Sequence, residues 1–386
     1  MTTAAPIRDN ETKPGHSEPF RVMLADDSAV VRGLLTRMLE ADPEIVVVAS
    51  VGDGQMAIRT VERMGSIEVV VLDLEMPRMD GLTALPELMR ADPNLQVIMA
   101  STLTLRNADI TLKALAAGAK DTIPKPSTGS ALNQAGDFKR ELIAKIKALG
   151  EARRRLGVAP RPIEPRPQTA AQARPPKVLS AAPIRLRTTV AGPIDIIAIG
   201  SSTGGPQALF KSLADLPAEL QQPILITQHM PPTFTTILAE HLTRSSGRPA
   251  KEGVDGERIE KGRIYVAPGD HHMVVEARPE GMVLRLNKDA PENFCRPSVD
   301  PMFRSIARAY GKRVLAVILT GMGHDGLKGG HVLVEAGAAL IAQDEATSVV
   351  WGMPGSVANA GICSAVLPLA EIGPHIRRTA LRGGGR

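Results

Sequence analysis

The stretch FRVMLADDSAVVRGLLTRMLEAD, residues 20–42, contains the pattern that decides the fold of the first third of the chain. A mostly apolar run is followed by two aspartates and then by a segment whose apolar residues recur at helical spacing. A short apolar run that ends just before such a segment is typical of a buried strand in an α/β sheet. The stretch therefore predicts one strand-helix unit with acidic residues at the carboxyl end of its strand.

The same alternation continues to about residue 150. Four further apolar runs follow, namely IVVVASVG, VVVLDLEMP, QVIMAST and KDTIPKP, and helical stretches separate them. Five strand candidates that alternate with five helix candidates imply a parallel sheet with helices on both faces. In doubly wound sheets of this kind, functional side chains gather at the carboxyl ends of the strands.

Residues 151–192 differ from the rest of the chain. They contain seven prolines, nine Lys or Arg and two Glu, with almost no apolar periodicity. This composition predicts an extended linker. Its charge of +7, set against +5 for the whole chain, leaves −2 for the remainder. The basic excess therefore belongs to the linker, and a solvated spacer is favoured over a segment that binds nucleic acid.

The alternation resumes after the linker with DIIAIGSSTGGPQAL, PILITQHMPP, VLAVILTGMGHDG and ALIAQDE. Residues 259–290 interrupt it with strand signals punctuated by glycine. We predict a second α/β domain, Rossmann-like in its alternation, with a mixed sheet or a β-hairpin insertion. The predicted organisation is a disordered extension, a first domain whose last helix runs to about residue 150, a linker, a second domain and a flexible tail, at 1–19, 20–140, 151–192, 193–380 and 381–386.

The composition excludes several classes of protein. No stretch approaches the roughly 18 to 20 apolar residues of a membrane helix, and the first 19 residues do not resemble a signal peptide, so we expect a cytoplasmic protein that is not embedded in a membrane. Cys295 and Cys363 lack paired spacing, so we predict buried free thiols. His271 and His272 have no partners at metal-ligand spacing and are predicted on the hairpin surface. Nine aromatic residues leave little material for stacking nucleic-acid bases.

A cluster of polar side chains is predicted at one edge of the first sheet. Asp26 and Asp27 follow the first strand, and Asp73 ends the third. Three converging carboxylates repel one another unless a hard cation such as Mg²⁺ lies among them, and a carboxylate beside Mg²⁺ can accept a phosphoryl group. Ser101 and Lys125 end two further strands at the same edge, where they can hold phosphate oxygens.

With this set, residues 20–140 resemble the receiver domain of two-component response regulators, a five-stranded doubly wound domain of flavodoxin-like fold. The resemblance implies that Asp73 is phosphorylated by a phosphohistidine kinase. It also implies Mg²⁺ ligands from Asp26, Asp27, Asp73 and the backbone carbonyl of Glu75. Many receivers carry an aromatic switch residue three positions before the lysine, where this chain has Thr122. An aromatic switch is therefore not expected here.

The second domain contains a candidate nucleophile. The run IIAIGSSTGGPQAL places Ser202 on a glycine-rich turn between a strand and a helix, whose N-terminus offers N–H groups to an oxyanion. The turn fits G-x-S-x-G, but it equally suits a phosphate-binding loop. His229 ends the next strand as a candidate base, and Asp325 ends a later strand as its orienting partner. The order Ser, His, Asp differs from that of the α/β-hydrolases.

Two alternatives to a hydrolase are open at this point. The segment after residue 319 also fits the dinucleotide fingerprint, with Gly321, Gly323, Gly326 and then Asp344, which would indicate a nicotinamide-dependent oxidoreductase. Against it, Asp325 inside that loop would repel a pyrophosphate. The other alternative is a response regulator whose basic linker binds DNA, although no helix-turn-helix pattern follows residue 150.

The motifs GSSTGG, TQHMPP, RPSVDPMF, TGMGHDG and SVVWGMPG together resemble the catalytic domain of the protein-glutamate methylesterase/glutaminase family of chemotaxis response regulators. The resemblance covers about residues 193–375. It implies Ser202 as nucleophile, His229 as general base and acid, and Asp325 as the residue that orients the histidine. It further implies the backbone N–H of Met322 as an oxyanion donor, with Thr203 beside the site.

The resemblance also implies a function and partners. It implies a phosphorylation-activated enzyme that hydrolyses glutamate γ-methyl esters on chemoreceptors and deamidates receptor glutamines. A chemotaxis histidine kinase would be the phosphodonor and methyl-accepting chemoreceptors the substrates, with no nucleic acid bound. Mg²⁺ is expected in the receiver and no cofactor in the catalytic domain, and the protein is expected at membrane chemoreceptor arrays. His324 stands where relatives commonly carry an uncharged amide, so its role stays open.

Overall fold

The computed structural model describes residues 18–102, 104–125, 132–157, 184–188, 192–214 and 216–381. Most of the predicted N-terminal extension, the predicted tail and the central part of the predicted linker lie outside these residues. No helix among the described residues is long and apolar enough to cross a bilayer.

The first sheet has five parallel strands in the order β2-β1-β3-β4-β5, which confirms the predicted doubly wound fold. Its strands and helices, in chain order, are β1 Phe20–Ala25, α1 Ala29–Leu39, β2 Ile45–Val51, α2 Gly54–Met64, β3 Val69–Asp73, α3 Gly81–Ala91, β4 Gln96–Ser101, α4 Leu105–Ala116, β5 Asp121–Pro124 and α5 Leu132–Arg155.

Helix α5 continues past the expected end at about residue 150. Near its C-terminus, Arg153 donates to Asp92 at 2.6 Å, and Arg154 donates to the buried carboxylate of Glu68 at 2.5 Å. These charge-assisted bonds attach the last turn to the rest of the first domain, and the residues just before the proline-rich stretch are helical.

The second sheet has seven parallel strands in the order β14-β13-β12-β6-β7-β9-β8. Its elements, in chain order, are β6 Ile196–Ser201, α6 Gly205–Leu213, β7 Ile224–Gln228, α7 Phe234–Ser246, β8 Ala250–Glu252, β9 Ile264–Val266, β10 His272–Arg278, β11 Gly281–Asn287, α8 Val299–Tyr310, β12 Val314–Ile318, α9 Leu327–Glu335, β13 Ala339–Gln343, α10 Met353–Asn359, β14 Ala365–Leu367 and α11 Leu369–Leu381. Strands β10 and β11 stand apart from this sheet.

The predicted hairpin insertion is confirmed, and the mixed-sheet alternative is wrong. Strands β10 and β11 pair antiparallel as a separate two-stranded sheet, whereas β9 joins the main parallel sheet. The hairpin packs on α8, where the hydroxyl of Ser305 accepts the N–H of Val275 at 2.9 Å. The surface position predicted for His272 is also wrong, because its ring is buried between the N–H of Ser298 and the carbonyl of Ala290.

Three neighbouring strands at the centre of the second sheet position the candidate site. Strands β12, β6 and β7 lie side by side and are buried along their whole length. Gly200 near the end of β6 is paired with Ile318 and with Thr227, so the three carboxyl ends are level. Residues that directly follow these strands therefore emerge at one edge.

Candidate functional site

A histidine and an aspartate form a close pair at this edge. His229 directly follows β7, and Asp325 lies in the loop between β12 and α9. Their atoms Nε2 and Oδ2 are 2.7 Å apart, and the two side chains are 12% and 1% exposed. A carboxylate at this distance fixes the orientation of the imidazole and stabilises its protonated form.

The carboxylate of Asp325 is the centre of a dense hydrogen-bond network. Besides the histidine, it accepts hydrogen bonds from the side chains of Asn293 and Ser298 and from the backbone N–H groups of Val299, Asp300 and Gly326. Burial raises the pKa of Asp325, but the bond to the histidine and these donors outweigh it and lower the pKa to about 2. The group is therefore ionised at neutral pH.

The other ring nitrogen of His229 faces a cysteine. The Sγ of Cys295 lies 3.4 Å from Nδ1, and this thiol is partly exposed rather than buried as expected. Burial lowers the pKa of His229, yet Cys295 and Asp325 raise it well above the usual 6.5. No sequence pattern indicated this contact, because 66 positions separate the two residues.

Ser202 lies at the same edge, on the turn between β6 and α6. Its N–H donates to the carbonyl of Thr320 at 3.1 Å, and its carbonyl accepts the N–H of Gly205 at 2.7 Å. Gly321 approaches so closely that a Cβ there would lie 2.8 Å from the Cβ of Ser202. Within the described ranges, no hydrogen bond links the Ser202 hydroxyl to His229, whose Nδ1 faces the thiol instead.

Gln228, the last residue of β7, is a further candidate that the sequence reasoning missed. Its amide N–H groups donate to the carbonyls of Ser202 at 2.9 Å and His229 at 3.2 Å, and its oxygen accepts the Ser201 hydroxyl at 2.7 Å. One buried side chain thus braces both the turn of Ser202 and the backbone of the histidine. The signal available in the sequence was a glutamine at the end of an apolar strand.

Two candidate oxyanion donors border Ser202. Met322 follows Gly321, the residue in closest approach to Ser202, and its side chain is partly buried. The buried hydroxyl of Thr203 donates to the carboxylate of Asp121, a residue of β5 in the first domain. The structure therefore brings both residues to the turn, but directs the hydroxyl of Thr203 toward the first domain.

The dinucleotide-binding alternative is not supported. Asp325 points inward from the loop of Gly321, Gly323 and Gly326, and its six hydrogen-bond donors hold it there. A fixed, ionised carboxylate in this loop disfavours a pyrophosphate. His324 of the same loop is exposed.

The predicted acidic cluster forms at the carboxyl edge of the first sheet. Asp26, Asp27 and Asp73 each offer one oxygen, and these oxygens lie within 4.8 Å of one another. The Nζ of Lys125 is 2.6 Å from Asp26 and 2.7 Å from Asp73. Burial and the nearby Asp26 raise the pKa of Asp73, against the lowering effect of Lys125. This all-oxygen set suits Mg²⁺, which would offset the repulsion between the carboxylates.

The remaining predicted receiver residues surround this cluster. Ser101 is buried at the end of β4 and accepts a hydrogen bond from Thr111 at 3.3 Å. The backbone N–H of Glu75 donates to Asp73. Thr122 is buried in β5, and its carbonyl accepts the ammonium of Lys145 at 2.6 Å.

Several hydrogen bonds join the two domains close to Ser202. The N–H of Gly204, just before α6, donates to the carbonyl of Lys120 at 3.1 Å. The amide of Gln207 donates to the carbonyls of Leu115 at 2.7 Å and Ala119. These contacts place the end of α4 and the start of β5 against the turn that carries Ser202.

A second group of contacts joins the domains away from this turn. Nε2 of His241, in α7, lies 3.0 Å from Oδ1 of Asp109, in α4. The guanidinium of Arg140 lies 4.6 Å from the ring centre of Phe294, in a cation–π arrangement. Met322, Val349 and Val350 pack in the hydrophobic cluster of the first domain.

The comparisons with known families define the class of protein. The family described as response regulator receiver domain matches residues 22–136, and the family described as CheB methylesterase matches residues 197–376. The chain is similar to a protein-glutamate methylesterase/protein-glutamine glutaminase of Azospirillum brasilense, with 61% identity over 95% of this chain and 94% of the relative. It is 60% identical to one of Paramagnetospirillum magneticum, over 95% and 97%.

A solved structure is also similar to part of this chain. The catalytic domain of a Thermotoga maritima CheB methylesterase is 41% identical and covers 49% of this chain and 99% of that chain, with a TM-score of 0.47. On the full-length similarities, the chain belongs to the family of receiver-linked protein-glutamate methylesterases/protein-glutamine glutaminases.

The surroundings of His229 predict an unusual titration. Because Cys295 and Asp325 favour the protonated ring, the pKa of His229 should lie above 6.5, the usual value for histidine. Replacing Cys295 by Ala should lower the pKa of His229. NMR titration of the histidine ring protons measures this, and the His229 resonance is identified by its absence from the His229→Gln variant.

Cys363 provides the matched control for this titration, because it is buried in the core and its change to Ala should leave the pKa of His229 unaltered. A pKa of His229 at or below 6.5 in the wild-type protein would contradict the predicted effect of Cys295 and Asp325. Equal changes of this pKa in both cysteine variants would contradict it as well.

Proposed function

We propose that the protein hydrolyses glutamate γ-methyl esters of chemoreceptors and deamidates receptor glutamines, under control of its receiver domain. The observation that carries the proposal is the buried His229–Asp325 pair at the sheet edge that also bears Ser202. The names of the full-length relatives, protein-glutamate methylesterase/protein-glutamine glutaminase, support the same substrate class.

In the proposed reaction, the Ser202 hydroxyl attacks the ester carbonyl while His229 takes its proton. Because Nε2 is held by Asp325, the accepting nitrogen is Nδ1, and Ser202 must replace Cys295 there. Displacing Cys295 also removes one of the groups that raise the pKa of His229, so the ring can give up its proton and act as the base. The methoxy group leaves with the proton from His229 as methanol, and water then cleaves the acyl-enzyme to glutamate. A glutamine follows the same path with ammonia as the leaving group. Asp325 stabilises the imidazolium in each step.

The negative oxygen of the tetrahedral intermediate needs hydrogen-bond donors in this scheme. We assign this role to the backbone N–H of Met322, because Gly321 brings that strand-loop segment against Ser202. Thr203 is the second candidate, once its hydroxyl is released from Asp121. The catalytic domain uses no cofactor in this proposal.

The nucleophile assignment predicts that Ser202→Ala abolishes methanol release from membranes that contain methylated chemoreceptors. Removing a nucleophile leaves only the effect of positioning and oxyanion binding, so we expect a loss of about 10³-fold or more. Gas chromatography of released methanol measures the effect.

The neighbouring serine offers a matched control for this assay. Ser201→Ala removes its bond to the oxygen of Gln228 but keeps the nucleophile and the two amide bonds from Gln228 to the carbonyls of Ser202 and His229, so it should retain most of the activity. Undiminished release by Ser202→Ala would contradict the proposed mechanism.

The receiver supplies regulation in this proposal. Asp73 accepts a phosphoryl group from a chemotaxis histidine kinase, and Ser101 and Lys125 contact it. Mg²⁺ would be held by Asp26, Asp27, Asp73 and the carbonyl of Glu75, where it supplies positive charge that balances the transferring phosphoryl group. Their convergence supports these roles, because the acidic oxygens lie within 4.8 Å of one another and Lys125 contacts two of them.

Short strand β5 connects the phosphoryl site with the catalytic turn. Its first residue, Asp121, accepts the hydroxyl of Thr203, and Lys125 follows its last residue in the acidic cluster. The carbonyl of Lys120 also accepts a hydrogen bond from the N–H of Gly204, close to the proposed nucleophile. We propose that phosphorylation of Asp73 loosens these contacts and opens the site, while the predicted linker that follows α5 keeps the domains together.

The interdomain contacts predict the effect of loosening them without phosphorylation. Gln207→Ala removes two hydrogen bonds across the interface, which should raise the unphosphorylated activity about three- to tenfold and reduce the activation by phosphorylation. Methanol release is measured with and without a small phosphodonor and Mg²⁺.

Two variants complete this experiment. Lys211→Ala, exposed on the same helix, should behave as wild type, and Asp73→Ala should no longer respond to the phosphodonor. Unchanged basal activity in Gln207→Ala, or full activation of Asp73→Ala, would refute control through this interface.

The partners and the location complete the proposal. Methyl-accepting chemoreceptors are the substrates, so the protein is proposed to act in the cytoplasm at membrane chemoreceptor arrays. The proposed function involves no binding of nucleic acid.

A further inference from the structure

The four-residue turn from Glu292 to Cys295 lies directly beside the His229–Asp325 pair. Its end residues exchange backbone hydrogen bonds, from Glu292 N to Cys295 O at 3.2 Å and from Cys295 N to Glu292 O at 2.9 Å. The two central residues, Asn293 and Phe294, have φ values of 53° and 63°. Non-glycine residues at positive φ are uncommon and are often found at functional sites.

The turn is attached to the rest of the domain through its side chains. Glu292 forms a two-pronged ion pair with Arg304 of α8, with bonds of 2.9 and 2.5 Å. Phe294 is 81% exposed, and its ring lies against the guanidinium of Arg140 in the first domain. The side chain of Asn293, in contrast to that of Phe294, points into the site toward Asp325.

The amide of Asn293 bridges two buried carboxylates. Its Nδ2 lies 2.8 Å from Oδ1 of Asp325 and 3.0 Å from Oδ2 of Asp300. Both aspartates are almost completely buried. The two hydrogens of one amide group therefore satisfy acceptors on two different carboxylates.

This bridge supplies hydrogen-bond donors to two carboxylates that repel each other. Asp300 lies beside Asp325, and burial together with the charge of Asp325 raises the pKa of Asp300. Two neighbouring buried carboxylates compete for any proton, and shared donors favour the state in which Asp325 keeps its charge. The charge of Arg304, which is bonded to Glu292, acts in the opposite direction and lowers the pKa of Asp300.

We propose that Asn293 is a positioning residue for the His229–Asp325 pair. By holding Oδ1 of Asp325, its amide keeps Oδ2 aimed at the ring nitrogen of His229, 2.7 Å away. The inference rests on the proposed function, because it assigns Asn293 to the same catalytic pair. Asn293 acts through Asp325 and contacts neither Ser202 nor the substrate in this scheme.

The test uses Asn293→Gly in the full-length protein. Glycine adopts positive φ without strain, so this variant keeps the turn and removes only the amide. We expect kcat for methanol release to fall at least about tenfold with KM changed less than about twofold, since a bond to a charged group is lost and substrate contacts are kept. The low-field NMR resonance of the proton between His229 and Asp325 should shift or disappear.

Phe294→Gly is the matched control, because it alters the other positive-φ position of the turn without removing the amide. It should keep the low-field resonance, and its kcat should not fall, because losing the contact between Phe294 and Arg140 only loosens the interdomain interface. Asn293→Asp provides a second variant that tolerates positive φ, and it should lose at least as much kcat because it adds a third carboxylate.

The outcomes separate this inference from the proposed function. An unchanged kcat and resonance in Asn293→Gly would overturn the positioning role, and so would equal losses in Phe294→Gly. If the wild-type protein releases no methanol, the proposed function fails, while the NMR comparison still decides whether Asn293 orients the pair.

Discussion

The buried carboxylate of Asp325 is the interaction on which the catalytic domain depends most. A charge with almost no exposure is tolerated only because six donors surround it, and these come from four separate segments of the chain. They are the end of β7, the turn of Asn293, the start of α8 and the loop before α9. The same group that stabilises the imidazolium therefore also joins these segments around the sheet edge.

The central parallel strands explain why this edge is a site at all. Because β12, β6 and β7 are adjacent and level, the residues that follow them converge without long connecting loops. The first domain covers the same edge. The carboxylate of Asp121 and the carbonyl of Lys120 accept hydrogen bonds from the two residues that follow Ser202. The short strand β5 and the residues beside it therefore contact both the turn of Ser202 and, through Lys125, the acidic cluster.

Part of this arrangement could be predicted from the sequence, because it depends on local pattern. Alternating apolar runs indicated both α/β domains, and strand ends indicated Asp26, Asp27 and Asp73 as well as the edge of Ser202 and His229. The parallel position of β9 could not be read from its three residues, since nothing local separates it from the following hairpin. The burial of His272 likewise depends on contacts with Ala290 and Ser298 beyond the hairpin, which no local pattern around residue 272 indicates.

The contacts of Cys295 and Asn293 were beyond sequence reasoning for the same physical reason. They depend on a tight turn at positive φ that directs neighbouring side chains to residues more than thirty positions away. The thiol faces Nδ1 of His229, the nitrogen that the proposed mechanism assigns to Ser202. Sequence motifs indicated which residues meet, but not which of them contact one another before substrate binds.

The central claim is that Ser202 is the nucleophile activated by His229 and Asp325. Covalent labelling of the full-length protein with a serine-directed fluorophosphonate, located by mass spectrometry, tests it most directly. The account predicts a single adduct on Ser202, formed about a hundredfold or more slowly in Asp325→Asn. An adduct on Cys295 or elsewhere, or equal labelling of the Asp325→Asn variant, would contradict it.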